Sequence, residues 1–125
     1  MQYILSQNIL QQNIKGEKIV PMSAGFQTLF REAPELIQTW LSVDRALAEH
    51  SALDPKTAEL AYLAVLAALG LERGIEFHAV EAKRLGATRA EVLSAVLVGL
   101  PAAGHRVIES VAEALRPFDI HEDTN

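Results

Sequence analysis

Residues 53–89 read LDPKTAELAYLAVLAALGLERGIEFHAVEAKRLGATR, and this stretch decides the fold. Asp54-Pro55 is a helix start: Asp caps the first turn, and Pro takes a position whose N–H has no intrahelical partner to lose. The apolar run that follows lasts to Leu69 and stops at Gly70, which accepts the left-handed backbone of a helix end. A second helix spans Arg73 to Leu85 and stops the same way at Gly86. Two helices joined by so short a turn pack antiparallel. The sequence therefore predicts a central antiparallel helical hairpin. Thr88 and Glu91, within T-R-A-E, form a capping box that opens a further helix fading near Gly99-Leu100.

Outward from the hairpin the punctuation stays helical. Upstream, Ser23 can cap a short helix with Phe26, Leu29 and Phe30 on one face. Pro34 then suits the first turn of a helix carrying Leu36, Ile37, Trp40, Leu41, Val43 and Leu47 at helical spacing, ending near His50-Ser51. Downstream, Pro101 opens a sixth helix that ends at Arg116-Pro117. The expected fold is all-α, with about six helices in one domain over residues 21–117. Residues 1–20 read as a polar, mixed arm and residues 118–125 as a loose acidic tail.

Bulk composition agrees with this reading and narrows the function. The 125 residues are half hydrophobic and 22% charged, with few Gly and Pro, which suits one globular helical domain with a modest core. The net charge of −5 leaves no basic excess to neutralise phosphates, which argues against nucleic-acid and anionic-membrane partners. Zero cysteines exclude disulfides, thiolate nucleophiles and thiolate metal sites. The opening MQYILSQNILQQNIKGEK lacks the basic start, apolar stretch and cleavage site of a secretory signal. The longest apolar run, Leu60 to Leu69, is about half of the ~20 residues a bilayer demands. A soluble cytoplasmic protein is expected.

Two segments are too apolar for a small monomer. Between Ala58 and Leu69 the only charge is Glu59, and between Val92 and Leu100 the only polar side chain is Ser94. A helix apolar all round must be buried all round. Either both are very central core helices, or they are covered by another subunit. The second reading makes the protein a homo-oligomer.

The stretch from Leu53 to Arg89, continued through AEVLSAVLVG, resembles the carboxymuconolactone decarboxylase and alkylhydroperoxidase D family. Redox members of that family carry a glutamate, eleven residues, Cys, two residues, Cys, three residues and a histidine. Glu59 and His78 fall on the two ends of this frame without gaps. Leu71 and Gly74 stand where the cysteines belong. The resemblance implies an all-α fold and a trimer or hexamer. The missing thiols rule out the peroxidase mechanism, in which a low-pKa thiolate attacks peroxide and a second thiol resolves the product. The name-giving decarboxylases work by acid–base groups, and the resemblance extends to them through the Gly-ended turn and the histidine of the following helix. The residues around His78 are not a close match to theirs.

The chemistry on offer centres on Glu59 and His78 as an acid–base pair acting on a small organic acid or lactone. A carboxylate buried in so apolar a helix must be paired or neutral. Alternatively, Glu59 is an ordinary first-turn acid in solvent, favoured there by the helix dipole, and His78 is a structural histidine. His105 and Arg106 together can bind a carboxylate-bearing ligand, and Arg73 can guard a pocket mouth; each also reads as a surface charge. Gly74 is either a residue of the ordinary helical frame or one placed for a positive φ. Glu59 and His78 supply two metal ligands where a stable site needs three or four, so neither metal nor cofactor is expected. The segment AKRLGATRAEVLSAV has the outline of a helix-turn-helix, but its second helix has almost no side chains to read base edges. A catalytically inactive binding or scaffold protein of the same fold is the competing reading.

Overall fold

The computed structural model describes residues 23–119. The chain divides into two compact units, Met1–Asp54 and Pro55–Asn125. That division falls inside the stretch read from sequence as one domain. The arm at 1–20 lies outside the described residues, as does the tail beyond residue 119.

The first unit contributes α1, Ala24–Glu32, and α2, Pro34–His50, joined through the single residue Ala33. The Ser23 hydroxyl accepts from the Phe26 N–H at 3.3 Å and caps α1. α2 buries Ile37 and Leu41.

The second unit opens with α3, Pro55–Leu69. Gly70 ends it with φ +69°, the left-handed conformation that a side chain would strain. Two bonds, Gly70 N–H to Ala67 C=O at 3.1 Å and Leu71 N–H to Leu66 C=O at 3.0 Å, close this end as a Schellman motif. A 3-10 turn, Glu72–Gly74, leads into α4, Ile75–Arg84. Gly86, at φ +95°, repeats the Schellman closure with Gly86 N–H to Lys83 C=O and Ala87 N–H to Ala82 C=O. α5, Arg89–Leu97, starts with both halves of the Thr88–Glu91 capping box formed.

α3 and α4 pack against each other. Gly74 lies against Leu66, and His78 lies against Tyr62 and Glu59. Contacts move toward the start of α3 as α4 advances, so the two run antiparallel. The core of this unit gathers Leu63, Leu66 and Ala67 of α3, Ile75, Ala79 and Ala82 of α4, and Val92 and Val96 of α5. Truncating a fully buried side chain such as Leu63 to Ala costs about 2–5 kcal/mol.

The sixth helix expected from Pro101 is not continuous. It is three pieces: α6, Leu100–Ala103; α7, His105–Glu109; and α8, Val111–Asp119. Gly104 sits at φ +70° and ψ −145°, which no helix can contain. The last piece runs past the expected end at Pro117. Arg89 grips Asp119 through two hydrogen bonds of 2.8 and 3.0 Å, and Lys83 Nζ donates to the Pro117 carbonyl at 2.8 Å. Among the described residues there is no strand, and no helix is long and apolar enough to cross a membrane.

Candidate functional site

Glu59 lies one turn into α3 on the face it shares with Leu63 and Leu66, and the core covers it completely (0% exposed). The first-turn position does not bring it to solvent. His78 lies one turn into α4 and is 4% exposed. The antiparallel hairpin sets these two faces opposite each other, and His78 Nδ1 makes a short hydrogen bond to Glu59 Oε1. Glu59 Oε2 is buried with no hydrogen-bond partner among the described residues.

Two aromatic rings wall the imidazole. Tyr62 stands edge-on at 4.5 Å between centroids, and Phe77 edge-on at 5.3 Å. Tyr62 was not singled out in the sequence. The signal was there, since Tyr62 is three residues after Glu59 and must share its helix face.

This arrangement has a definite chemistry. With Glu59 ionised, its carboxylate can only accept, and the Nδ1 of His78 is then the donor. That fixes the ring orientation and leaves the Nε2 lone pair to take a proton. A carboxylate so placed can hold an imidazole in one orientation while the far ring nitrogen exchanges a proton. No described residue hydrogen-bonds Nε2.

The other candidates lie elsewhere. Arg106 Nη1 reaches the Leu69 carbonyl at 3.5 Å, and its aliphatic stem lies where a Gly70 Cβ would be in contact. It therefore serves the C-terminal end of α3, ten residues or ~15 Å along the helix from Glu59. His105 pairs with Glu109 on the exposed side of α7 at 2.8 Å. Arg73 is exposed in the 3-10 turn. The structure brings Glu59 and His78 together and does not bring His105 or Arg106 to them.

Leu71, at the first cysteine position, is half-exposed just before that turn. Gly74, at the second, has φ −89° and ψ −14°, an ordinary right-handed conformation. A positive φ is thus not the reason for glycine there. A Cβ at Gly74 would stand 3.4 Å from Leu66 Cδ1 and 3.9 Å from His78 Cδ2, ordinary contact distances.

A shallow apolar groove of about 390 Å³ is lined by Leu60, Ala90, Glu91, Ser94, Ala95 and Val98, between α3 and α5. Neither Glu59 nor His78 lines it. Lys56 bonds Glu91 at 3.1 Å, within α3 and α5. Glu91 is held below its ordinary pKa, first by its backbone hydrogen bond at Thr88 and then by Lys56. No group of three or more metal-ligating side chains occurs among the described residues.

No curated protein matches the chain at a significant level. A solved structure does: an apo carboxymuconolactone decarboxylase family protein from Legionella pneumophila, 27% identical, with a TM-score of 0.65 and 94% of each chain covered. The model of the carboxymuconolactone decarboxylase family matches residues 34–117, which contain α2 through most of α8 and both members of the buried Glu59–His78 pair. Two thirds of the chain thus fits that family's pattern, and the chain belongs to the carboxymuconolactone decarboxylase family.

Proposed function

We propose that the protein is a non-redox acid–base enzyme acting on a small organic acid or lactone, with His78 as the proton-transfer group and Glu59 as the residue that orients and charges it. The observation that carries this reading is the buried Glu59–His78 hydrogen bond between two aromatic rings. A carboxylate and an imidazole removed from water are costly to bury, and a purely apolar core would avoid that cost. With no cysteine in the chain, thiol chemistry has no part in the reaction.

The test is solvent exchange and turnover on a panel of small lactones and of carboxylic acids with an acidic C–H. Wild type should catalyse deuterium incorporation from heavy water or loss of carbon dioxide on at least one class. Glu59→Gln and His78→Gln should lose it by at least ~100-fold, the typical contribution of one positioned acid–base group. Inactivity of the wild type across the panel, with compounds still binding, would instead favour the scaffold reading.

The protein is also proposed to work as a homo-oligomer, a trimer or hexamer on the family resemblance. Support comes from Val65 and Leu69 on α3 and Val98 just past the end of α5, each half or more exposed within the two segments that are too apolar for a monomer.

A further inference from the structure

Position 74 holds a glycine that its surroundings do not require. Its φ of −89° and ψ of −14° suit any L residue. In such a right-handed backbone glycine is less stable than alanine. Packing does not demand glycine either. A Cβ there would meet Leu66 Cδ1 at 3.4 Å, Leu66 Cδ2 at 3.8 Å and His78 Cδ2 at 3.9 Å, all ordinary contacts with side-chain atoms. What a side chain here would change is the space beside one ring.

Gly74 lies one helical turn before His78. Side chains of a helix lean toward its N-terminus, so the imidazole lies over the turn that Gly74 begins. The two edges of the ring have different neighbours. Nδ1 faces Glu59 Oε1. Cδ2, which is bonded to Nε2, is the ring atom nearest to the Gly74 position. Tyr62 and Phe77 stand edge-on to the imidazole. His78 is 4% exposed, whereas Gly74 is part-exposed. The glycine is thus a solvent-facing wall beside the Cδ2–Nε2 edge, and that wall is backbone alone.

We propose that Gly74 is the access residue of the site: its lack of a side chain keeps the Cδ2–Nε2 edge of His78 open, and a side chain in its place narrows or closes the approach. The inference rests on the acid–base reading, which makes Nε2 the atom a substrate must reach. At 3.9 Å a Cβ would already be in van der Waals contact with the ring, leaving no room for a molecule to pass between them. A β-branched side chain would extend further over the same edge.

Diethyl pyrocarbonate tests the opening without turnover. The Nε2 lone pair attacks one carbonyl carbon, and the new N–C bond displaces ethyl carbonate. The proton shed by the ring converts that leaving group to ethanol and carbon dioxide. Trypsin cuts after Arg73 and Lys83, and His78 is the one histidine of peptide 74–83, so tandem mass spectrometry reads its label separately from the other three. Rates are compared on the plateau above the titration of the ring, where protonation no longer differs between variants. Wild type should be labelled at His78 in the folded state, Gly74→Ala severalfold more slowly, and Gly74→Val hardly at all. All three should label equally once unfolded in urea. Gly74→Ala, whose Cβ has room, carries the test alone if Gly74→Val melts early. A His78 that stays unlabelled in folded wild type, or that labels equally fast in wild type and Gly74→Ala, would overturn the proposal and leave the acid–base reading to the turnover panel. Graded labelling in a protein that turns over nothing on that panel would uphold the opening and remove the acid–base reading.

Discussion

His78 Nδ1 and Glu59 Oε1 are hydrogen-bonded across nineteen residues of sequence, and the turn between their helices is fixed by the left-handed Gly70. Fold and candidate chemistry thus share one device: the hairpin that closes the core also juxtaposes the two ionisable groups. Each partner is the other's compensation for burial. Removing one leaves a polar group stranded in the core, whereas replacing both with apolar side chains does not. Glu59→Leu and His78→Leu should each cost about 3 kcal/mol in denaturant unfolding. The double variant should cost clearly less than the two combined. Additive losses would show that the residues are not energetically coupled.

The same bond makes a spectroscopic prediction. In wild type the neutral His78 ring should carry its proton on Nδ1, because the acceptor lies there. Glu59→Ala should move the ring toward the Nε2–H form that predominates in free histidine. Nitrogen chemical shifts of the labelled imidazole distinguish the two. An Nε2–H ring in the wild type would mean that Glu59 donates the proton in the bond, and would take the proposed base away.

Two glycines on the same turn should respond oppositely to alanine. Gly70 has φ +69°, so Gly70→Ala should destabilise by about 1 kcal/mol or more. Gly74 has φ −89° and room for a Cβ, so Gly74→Ala should be neutral or stabilise by about 0.4–1 kcal/mol through the unfolded chain. Thermal melts of the two variants decide this.

Glu91 supplies a pH dependence with a definite sign. Its carboxyl lies below the ordinary 4.5 in the folded chain because the Thr88 N–H and Lys56 favour the charged form. Stabilisation from this group is therefore fully present above about pH 4.5 and is lost as pH falls through the lowered value. Glu91→Gln should lower the melting temperature at neutral pH and make little difference once both proteins are well below that value. A gap between variant and wild type that stays constant down to low pH would mean that the charge is not what matters.

Much of this was legible in sequence because the signals are local. Gly70, Gly86 and the Thr88–Glu91 box each fix a helix end through their own backbone or side chain. Three things were not legible. Gly104 breaks the last helix, yet a glycine among helix formers gives no sign that its φ must be positive. Six apolar residues of α2 could be placed on one helix by their period, but period cannot say which part of a broad apolar arc is covered; Ile37 and Leu41 are buried while the other four are exposed. Glu59 sits where both a solvated first-turn acid and a buried one are reasonable. Only the hairpin's register, which depends on contacts between helices, decides between them.

That register also bears on the two positions where redox relatives hold cysteines. Leu71 is half-exposed, so a thiol there would be open to oxidants. A Gly74 side chain would start in contact range of the His78 ring, with no strain in its backbone. Both positions immediately precede or form the turn that leads into α4, where the helix N-terminus favours a thiolate over a thiol. Leu71→Cys/Gly74→Cys should therefore fold as wild type does, and at least one thiol should react with a disulfide reagent faster than free cysteine at the same pH. On mild oxidation the pair should close to an intramolecular disulfide, seen as the loss of two hydrogens in the intact mass. His78→Leu in this background should slow the thiol reaction without unfolding the chain if the ring assists the Gly74 position. Two thiols that react no faster than free cysteine, in a variant that melts with wild type, would show that the turn has lost more of the redox frame than its cysteines.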